Sequence, residues 1–225
     1  MKITIEESYK KTDMLCFFLE ENSVKINSKQ KFNLEISNAV NQAIKDNGGK
    51  LGKISLVNIS EKNSIQRILI AGIGKKENIS DEIFREISGR IAIKAKDLKL
   101  KNFSIQYPSN FSDESISKIV EGVKISYYKF DKFKSKKETS SINLTIIASK
   151  NKKNIEKIHQ AEIISDGVIF AKDVSNLPPN ECNPETLAKF ASNISKNKMK
   201  CKIFKKIELK QKGFGGITAV GQGSK

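Results

Sequence analysis

The segment from Ala171 to Glu185 constrains the fold of this chain most strongly, because it holds three of the four prolines, at positions 178, 179 and 184. Proline has no amide hydrogen and biases the preceding residue towards extended geometry, so a helix cannot continue into Pro178. Asn183 followed by Pro184 is typical of a helix start, with asparagine as the N-cap and proline at the first helical position. We therefore expect one helix to end near Asn176 and another to begin at Pro184.

Segments before these prolines alternate between strand-like and helix-like patterns, which is typical of an α/β domain. The most continuously apolar strand is predicted at Arg67–Ile73, so it is the best candidate for a buried strand of the sheet. A Gly-Ile-Gly sequence ends at Gly74, six residues before the next helix start at Ser80, and it lacks a third glycine. This pattern favours a turn over a phosphate-binding loop.

A long helix is predicted from Asn151 to Ser175, and it bridges the two parts of the chain. The apolar stripe of this helix comprises Ile155, Ile158, Ala161, Ile164, Val168 and Ala171. After Pro184 the pattern predicts a helix, a strand at 199–204, a short helical turn and a strand at 216–220. Two strands without neighbours cannot form a stable sheet, so we expect open edges and mobility or self-association there.

These patterns divide the chain into three parts and set its class. Residues 1–150 are predicted to form an α/β domain, residues 151–175 a bridging helix, and residues 176–225 the incomplete start of a second α/β domain. The longest apolar runs, Met14–Leu19 and Ile68–Ile73, are far too short to cross a membrane. The N-terminus lacks the basic start and apolar core of a signal peptide. We therefore expect a cytoplasmic protein with no membrane partner.

The three cysteines predict a reducing compartment and unpaired, mostly buried thiols. Cys16, Cys182 and Cys201 are widely spaced, and no Cys-x-x-Cys pair occurs. A metal site built from them and His159 is not favoured, because their spacing does not match a zinc site. His159 also lies off the apolar stripe of its helix, so we expect a solvated side chain.

The formal net charge of +16 would attract polyanions such as nucleic acid. Only three of the 41 basic residues are arginines, however, and the lysines are spread over nearly every segment, as in a genome whose codons favour lysine. Aromatic residues alternate with lysines in the segment Tyr127–Lys134, a pattern that could clamp a single nucleic-acid strand. The candidate contacts are Tyr128, Lys129, Lys132 and Lys134. The alternative, which we favour, is that the aromatic residues anchor a helix end while the lysines face water.

Four features in this order resemble the leucyl (cytosol) aminopeptidase family of two-metal exopeptidases. They are Arg67–Lys75, Glu121-Gly122 with Tyr128–Lys134, Ala171–Asn180 with Asn183-Pro184, and Gly213–Gly216 with Ala219–Ser224. The resemblance covers the whole chain and implies a macro-domain-like mixed sheet flanked by helices, then the bridging helix and the first part of the catalytic domain. A macro-like fold also suggests the possibility of ADP-ribose binding, but the glycine pattern gives it little support.

The resemblance further implies an enzyme that releases N-terminal amino acids from peptides, uses two divalent metals (zinc or manganese) and forms a homo-hexamer. In the family, a lysine, three aspartates and a glutamate hold the metals. They lie in a Gly-Lys-Gly-x-Thr-x-Asp-Ser-Gly-Gly stretch, at a later aspartate, and in an Asn-Thr-Asp-Ala-Glu-Gly-Arg stretch that also supplies a catalytic arginine. None of these stretches occurs in residues 1–225.

We therefore assign no catalytic, metal-binding or substrate-binding residue and expect no cofactor in this chain. The resemblance predicts the N-terminal portion of a leucyl aminopeptidase, inactive by itself, with a scaffold and oligomerisation role. The alternative is a DNA-binding or regulatory module that uses the basic surface.

Overall fold

The computed structural model describes residues 1–28, 31–61, 64–108, 110–136, 142–195 and 199–223. The strands in these ranges are β1 (Lys2–Glu6), β2 (Met14–Glu20), β3 (Ile54–Glu61), β4 (Ser64–Gly74), β5 (Asn102–Gln106) and β6 (Asn143–Ile147). The α-helices are α1 (Leu34–Asn47), α2 (Asp81–Asp97), α3 (Glu114–Ser126), α4 (Lys152–Ser175), α5 (Pro184–Ser195), α6 (Lys206–Gln211) and α7 (Gly215–Gly221). The chain divides into two compact units, Met1–Ala171 and Lys172–Lys225.

The first unit is built on a six-stranded mixed sheet in the order β1-β6-β5-β2-β4-β3. The edge strand β3 pairs antiparallel with β4, and the other pairs are parallel. Strand β4 contains the predicted Arg67–Ile73 run and lies between β2 and β3, with Ile68 to Ala71 fully buried. The predicted α/β class, a mixed sheet flanked by helices, is therefore confirmed, as is the burial of this strand.

Helices cover both faces of the sheet, because alternate strand residues are apolar on both sides. On one face, α1 packs through Val40 and Ala43 against Leu15 and Phe17 of β2. On the other face, α2, α3 and the first half of α4 cover a second core. That core includes Met14, Cys16, Ile87, Ile91, Phe103, Ile116, Ile119 and Ile158. Strand β2 is consequently buried from both sides over Met14 to Leu19.

The helix boundaries around the prolines are as predicted from the sequence. Helix α4 ends at Ser175 and α5 begins at Pro184. The side-chain oxygen of Asn183 accepts a hydrogen bond from the backbone N–H of Thr186 at 2.9 Å, which satisfies one of the free donors of the first turn. This hydrogen bond confirms the prediction that Asn183 is the N-cap of α5.

The predicted apolar stripe of α4 is wrong at several positions. The buried residues are Asn154, Ile158, Ala161 and Ser165, whereas Ile155, Ile164 and Val168 are exposed. The buried face of the helix is therefore rotated relative to the prediction, and lysines on its first turns pair with acidic residues at the start of α3. These pairs are Lys153 with Asp113 and Lys157 with Glu114. His159 is exposed, as expected.

Both predicted C-terminal strands are also wrong. Residues 199–205 have no regular secondary structure, and residues 216–220 lie inside helix α7. A strand without a partner leaves its N–H and C=O groups unpaired, whereas a helix pairs them locally. In α7, the backbone N–H of Thr218 bonds to the carbonyl of Phe214 at 3.0 Å. The β-branched composition of Gly216–Val220 therefore did not decide its structure.

The prediction of mostly buried thiols holds for one cysteine and fails for the others. Cys16 is buried in β2, Cys182 is partly exposed and Cys201 is exposed. Burial raises the pKa of the Cys16 thiol well above its ordinary value. In the ranges that the structure describes, no helix combines the length and apolarity needed to span a bilayer.

Candidate functional site

The topology of the first unit opens a crevice at the carboxyl end of β2. The chain leaves β2 for α1 on one face of the sheet, but it leaves the neighbouring parallel strands β4 and β5 for α2 and α3 on the opposite face. In open α/β sheets, such a reversal separates the connecting loops, and ligands bind in the gap outside the carboxyl ends of the strands. The sheet therefore places a candidate ligand site beyond the end of β2.

A cavity of about 410 Å³ lies at this place. This volume falls within the range of about 300–1,000 Å³ that is typical of small-molecule sites. The described residues that line it include Phe18, Glu20, Lys25, Ile73, Pro108 and Phe111. They come from the ends of β2 and β4 and from the loops after β2 and β5, so the cavity belongs wholly to the first unit.

One wall of the crevice is apolar and is held by ring contacts. Phe84 of α2 makes edge-to-face contacts with both Phe18 and Phe111, with ring centroids 5.1 and 5.0 Å apart. Such pairs prefer a defined geometry and add to the stability gained from burial. The aromatic rings that line the crevice are therefore fixed from behind by a fully buried phenylalanine.

The polar part of the lining, called the polar wall below, carries one carboxylate and one ammonium group, on Glu20 and Lys25. The β2–β4 pairing shifts register between Leu19 and Glu20, a bulge of the kind that re-aims a side chain next to a site. The Glu20 carboxylate accepts a hydrogen bond from the side-chain amide of Asn110 at 3.2 Å. A carboxylate has about four lone-pair sites, so Glu20 retains capacity for a ligand.

Backbone hydrogen bonds hold the loop after β2 in place. The backbone N–H of Glu21 bonds to the carbonyl of Gly74 at 2.8 Å, and that of Asn22 bonds to Gly48 at 3.1 Å. Gly74 adopts a left-handed φ of 81°, and its N–H bonds to the carbonyl of Gly49. The Gly-Ile-Gly sequence is therefore the end of strand β4, packed on neighbouring loops, and the turn predicted there is wrong. The absence of a phosphate-binding loop stays a prediction.

Sequence reasoning did not find this crevice. Its lining residues are distributed over positions 18–28, 73 and 108–111, and no motif links them. The available signal was the acidic pair that ends the buried run of β2 at Glu20. That signal alone is weak, because a charged pair at a strand end is usually only solvated.

Tyr107 follows β5, precedes the crevice residue Pro108 and has a pKa that its surroundings raise. Its hydroxyl donates a hydrogen bond to the carbonyl of Ser112 at 2.6 Å. Burial, followed by the negative charges of Asp113 and Asp81, raises the pKa of Tyr107 to about 12 from its ordinary value of 10.0. The folded chain thus holds the neutral phenol.

This pKa shift predicts a loss of stability in alkali. Below pH 10, Tyr107 is neutral in both the folded and unfolded chain, so its contribution to stability is complete. Between pH 10 and about 12, the unfolded chain ionises first, so the free energy of unfolding falls by up to about 2–3 kcal/mol. Urea unfolding of the parent and Tyr107→Phe at pH 8 and pH 11.5 tests this.

We expect Tyr107→Phe to be about 1 kcal/mol less stable than the parent at pH 8, because it loses one hydrogen bond. This difference in the free energy of unfolding should vanish or change sign at pH 11.5. The other tyrosines and the lysines are common to both chains, so the difference isolates Tyr107. A gap that stays constant with pH would contradict the expectation.

The structure places the predicted nucleic-acid contacts on and around the loop that follows α3. Lys132 and Lys134 are exposed, whereas Tyr128 and Lys129 are partly buried. The ammonium of Lys132 lies 5.3 Å from the ring centroid of Phe133, a side chain that is 56% exposed. The ring of Phe133 also packs edge-to-face on Phe130 at 5.8 Å. The segment thus presents exposed lysines beside one exposed ring.

The first unit is an α/β domain with a crevice at the carboxyl end of β2, and the second unit is helical. The model of the cytosol aminopeptidase family N-terminal domain matches residues 15–137 of this domain, and the model of the family's catalytic domain matches residues 169–225. The chain belongs to the cytosol aminopeptidase family, which consists of metallo-aminopeptidases.

Similar proteins carry the family name. A protein of Cenarchaeum symbiosum named "Probable cytosol aminopeptidase" is 37% identical over 229 aligned residues, which cover 100% of this chain and 46% of that protein. A Sulfurihydrogenibium protein of the same name is 29% identical and covers 95% of this chain and 45% of its own length. The chain thus spans less than half of the length of these relatives.

Solved structures show the same fold. A tomato leucine aminopeptidase mutant superimposes with a TM-score of 0.70 at 23% identity, covering 87% of this chain and 42% of the tomato chain. The bottromycin maturation enzyme BotP superimposes with a TM-score of 0.69 at 14% identity, covering 95% of this chain and 44% of BotP. At these identities the likeness supports the fold alone.

The described residues do not fit the metals that a metallopeptidase implies. Within those residues, no group of three or more His, Cys, Asp and Glu side chains could hold a metal ion. The acidic residues at the start of α3 are instead paired with lysines of α4, as described above. Asp81 accepts hydrogen bonds from the hydroxyls of Ser112 and Ser115. These carboxylates are therefore used within the fold.

Proposed function

We propose that this chain carries the N-terminal scaffold and the first part of the catalytic region of an aminopeptidase that releases N-terminal amino acids from peptides. The observation that supports this most directly is the order of the two family matches, with the α/β domain first and the catalytic-domain match beginning at residue 169. We retain the division into an N-terminal domain at 1–150, a bridging helix at 151–175 and a catalytic segment at 176–225.

The finer properties follow from the family resemblance. We propose that the enzyme uses two divalent cations, zinc or manganese, assembles as a homo-hexamer and works in the cytoplasm. The metal-holding and catalytic stretches of the family do not occur in residues 1–225. We therefore expect the 225-residue chain by itself to lack aminopeptidase activity and to act in folding and assembly.

A fusion experiment tests the scaffold role. Residues 1–225 are joined to the remainder of the Cenarchaeum symbiosum relative, beyond the part to which this chain aligns. With added Zn²⁺ or Mn²⁺, we expect the fusion to hydrolyse leucine p-nitroanilide and the 225-residue chain to match the enzyme-free blank. Light scattering of the fusion measures its assembly, for which we expect six copies.

The intact Cenarchaeum protein is the matched control for the fusion. A folded fusion without activity, beside an active control, would show that this domain does not serve the catalytic part. Turnover by the 225-residue chain at the rate of the control would contradict the assignment of no catalytic residue.

The comparisons do not favour the alternative of a DNA-binding or regulatory module. The exposed lysines beside Phe133 nevertheless support a testable contact with single-stranded nucleic acid through Tyr128, Lys129, Lys132 and Lys134. Fluorescence anisotropy with a labelled oligonucleotide, at several salt concentrations, measures it. We expect Lys132→Ala/Lys134→Ala to reduce the slope of log affinity against log salt by about one to two.

The control is the double variant Lys50→Ala/Lys75→Ala, which removes two positive charges from exposed positions elsewhere in the first unit. Phe133→Ala is expected to weaken binding without changing the salt slope, because it removes stacking and no charge. Equal losses in the two double variants would mean that only the net charge acts.

A further inference from the structure

We propose that the crevice at the carboxyl end of β2 binds a small zwitterion with an apolar side chain, such as a free apolar amino acid. The inference goes beyond the proposed function, because the site lies wholly within residues 18–111 and requires no part of the catalytic region. It follows from the topology, the chemistry of the two walls and their prior ordering.

The first step is the position of the crevice. Of the strands β4, β2 and β5, which lie side by side and parallel, only β2 is followed by a helix on the α1 face of the sheet. The reversal leaves an opening that no connecting helix fills. A cavity of about 410 Å³ occupies this opening, so the site is preformed in the fold.

The second step is the charge of the lining. Among the described lining residues, Glu20 is the one acidic residue and Lys25 the one basic residue. One charge of each sign complements a ligand that carries one ammonium and one carboxylate group. A nucleotide carries only negative charge on its phosphate, and the Glu20 carboxylate would repel it.

The third step is the apolar wall. The apolar lining consists of Phe18, Ile73, Pro108 and Phe111, of which the first three are buried and Phe111 is partly exposed. The Phe111 ring is therefore the main apolar contact that the crevice offers to a ligand side chain. Phe84 supports both phenylalanines from behind, and Phe84 itself is 1% exposed. Side chains that are already ordered lose little freedom on binding, which favours affinity.

The fourth step is the ordering of the polar wall. The Asn110 amide holds the Glu20 carboxylate, and the loop after β2 is tied to Gly48 and Gly74. The Ser23 hydroxyl donates a hydrogen bond to the carbonyl of Lys25 at 2.8 Å, which fixes the backbone at the lysine. Both charged residues therefore project from an ordered backbone.

Isothermal titration of the 225-residue chain tests the site with four probes: L-leucine, L-leucinamide, N-acetyl-L-leucine and AMP. Leucinamide lacks the carboxylate and N-acetyl-leucine lacks the ammonium group. We expect saturable binding of one leucine per chain, with leucinamide and N-acetyl-leucine each at least about tenfold weaker, since each loses one charge-assisted contact.

Two variants assign the charges to their partners. Glu20→Gln is expected to weaken the binding of leucine and leucinamide by about tenfold, because both carry the ammonium group. Its affinity for N-acetyl-leucine, which lacks that group, should be unchanged. Lys25→Met is expected to weaken the binding of leucine and N-acetyl-leucine, which carry the carboxylate. It should not change the binding of leucinamide, which lacks it. Lys45→Met, on an exposed position of α1, is the matched control and should bind leucine as the parent does.

Several outcomes would overturn the proposal. They are the absence of saturable leucine binding, equal affinity for the three leucine compounds, and tighter binding of AMP than of leucine. If a variant does not fold, the comparison of the three leucine compounds on the unchanged chain still decides the question. Because binding and not turnover is measured, failure here is distinguishable from failure of the aminopeptidase assignment.

Discussion

Gly122→Ala is expected to destabilise the first unit by about 3 kcal/mol, at the upper end of the usual range for overpacking. Helices α2 and α3 touch through their backbones at this point. A Cβ atom on Gly122 would come closer than 3.0 Å to the carbonyl oxygen of Arg85, a backbone atom that cannot turn away. The two helices would have to separate, and the core that they share with β2 and β5 would loosen.

A graded series of glycine variants isolates this clash from the general effect of alanine in a helix. At Gly89 the nearest atom is the side-chain oxygen of Ser126, which can rotate, so we expect a smaller loss for Gly89→Ala. At Gly167 of α4 nothing lies within 4 Å, so alanine should stabilise the chain by about 0.5–1 kcal/mol through helix propensity. Urea unfolding measures all three.

The expected order of stability is therefore Gly167→Ala, parent, Gly89→Ala and Gly122→Ala. If Gly122→Ala were as stable as the parent, α2 and α3 would not be in backbone contact. If Gly167→Ala were also strongly destabilising, that position would be packed against another part of the molecule.

Asn47→Ala is expected to lower the free energy of unfolding by about 3–5 kcal/mol, because it leaves several buried polar groups without a partner. Asn47 ends α1 and is 1% exposed. Its side-chain amide donates hydrogen bonds to the carbonyls of Lys53 and Ile70, both at 3.0 Å. Its side-chain oxygen accepts a hydrogen bond from the N–H of Gly49, also at 3.0 Å.

One side chain thus connects the end of α1 to the residue before β3 and to β4. The matched control lies in the same helix, where the exposed Gln42 side chain bonds to Asp46 at 3.1 Å. Gln42→Ala should change stability by less than about 0.5 kcal/mol, because water replaces that bond. Hydrogen exchange of the Gly49 amide gives a local measurement: we expect faster exchange in Asn47→Ala and no change in Gln42→Ala. Equal unfolding midpoints for both variants would refute the role of Asn47.

Much of the first unit was predictable from residue patterns. The buried strand at Arg67–Ile73 was identified from its continuous apolar run, since a strand covered on both faces needs apolar side chains on both. The helix start at Ser80 was identified from its local pattern, although the turn expected at Gly72–Gly74 is the end of β4. These features depend on segments of fewer than about a dozen residues, over which local pattern is informative.

The candidate site could not be predicted in the same way. Glu20 and Lys25 lie near each other in sequence, but Ile73, Pro108 and Phe111 reach the crevice only through the strand order of the sheet. The direction in which each connection leaves the sheet decides whether a crevice opens. That direction depends on which helix covers which face, and no local pattern in the chain specifies it.

The sequence by itself determined the break at the prolines, the start of α5 at Pro184 and the buried strands, because these follow from backbone chemistry and local apolarity. Only the tertiary structure decided which face of α4 is buried, whether 199–204 and 216–220 become strands, and where a cavity opens. The physical reason is that a helix face, a strand and a crevice each require a partner surface. Partners distant in sequence are chosen by packing and hydrogen bonding in the folded chain.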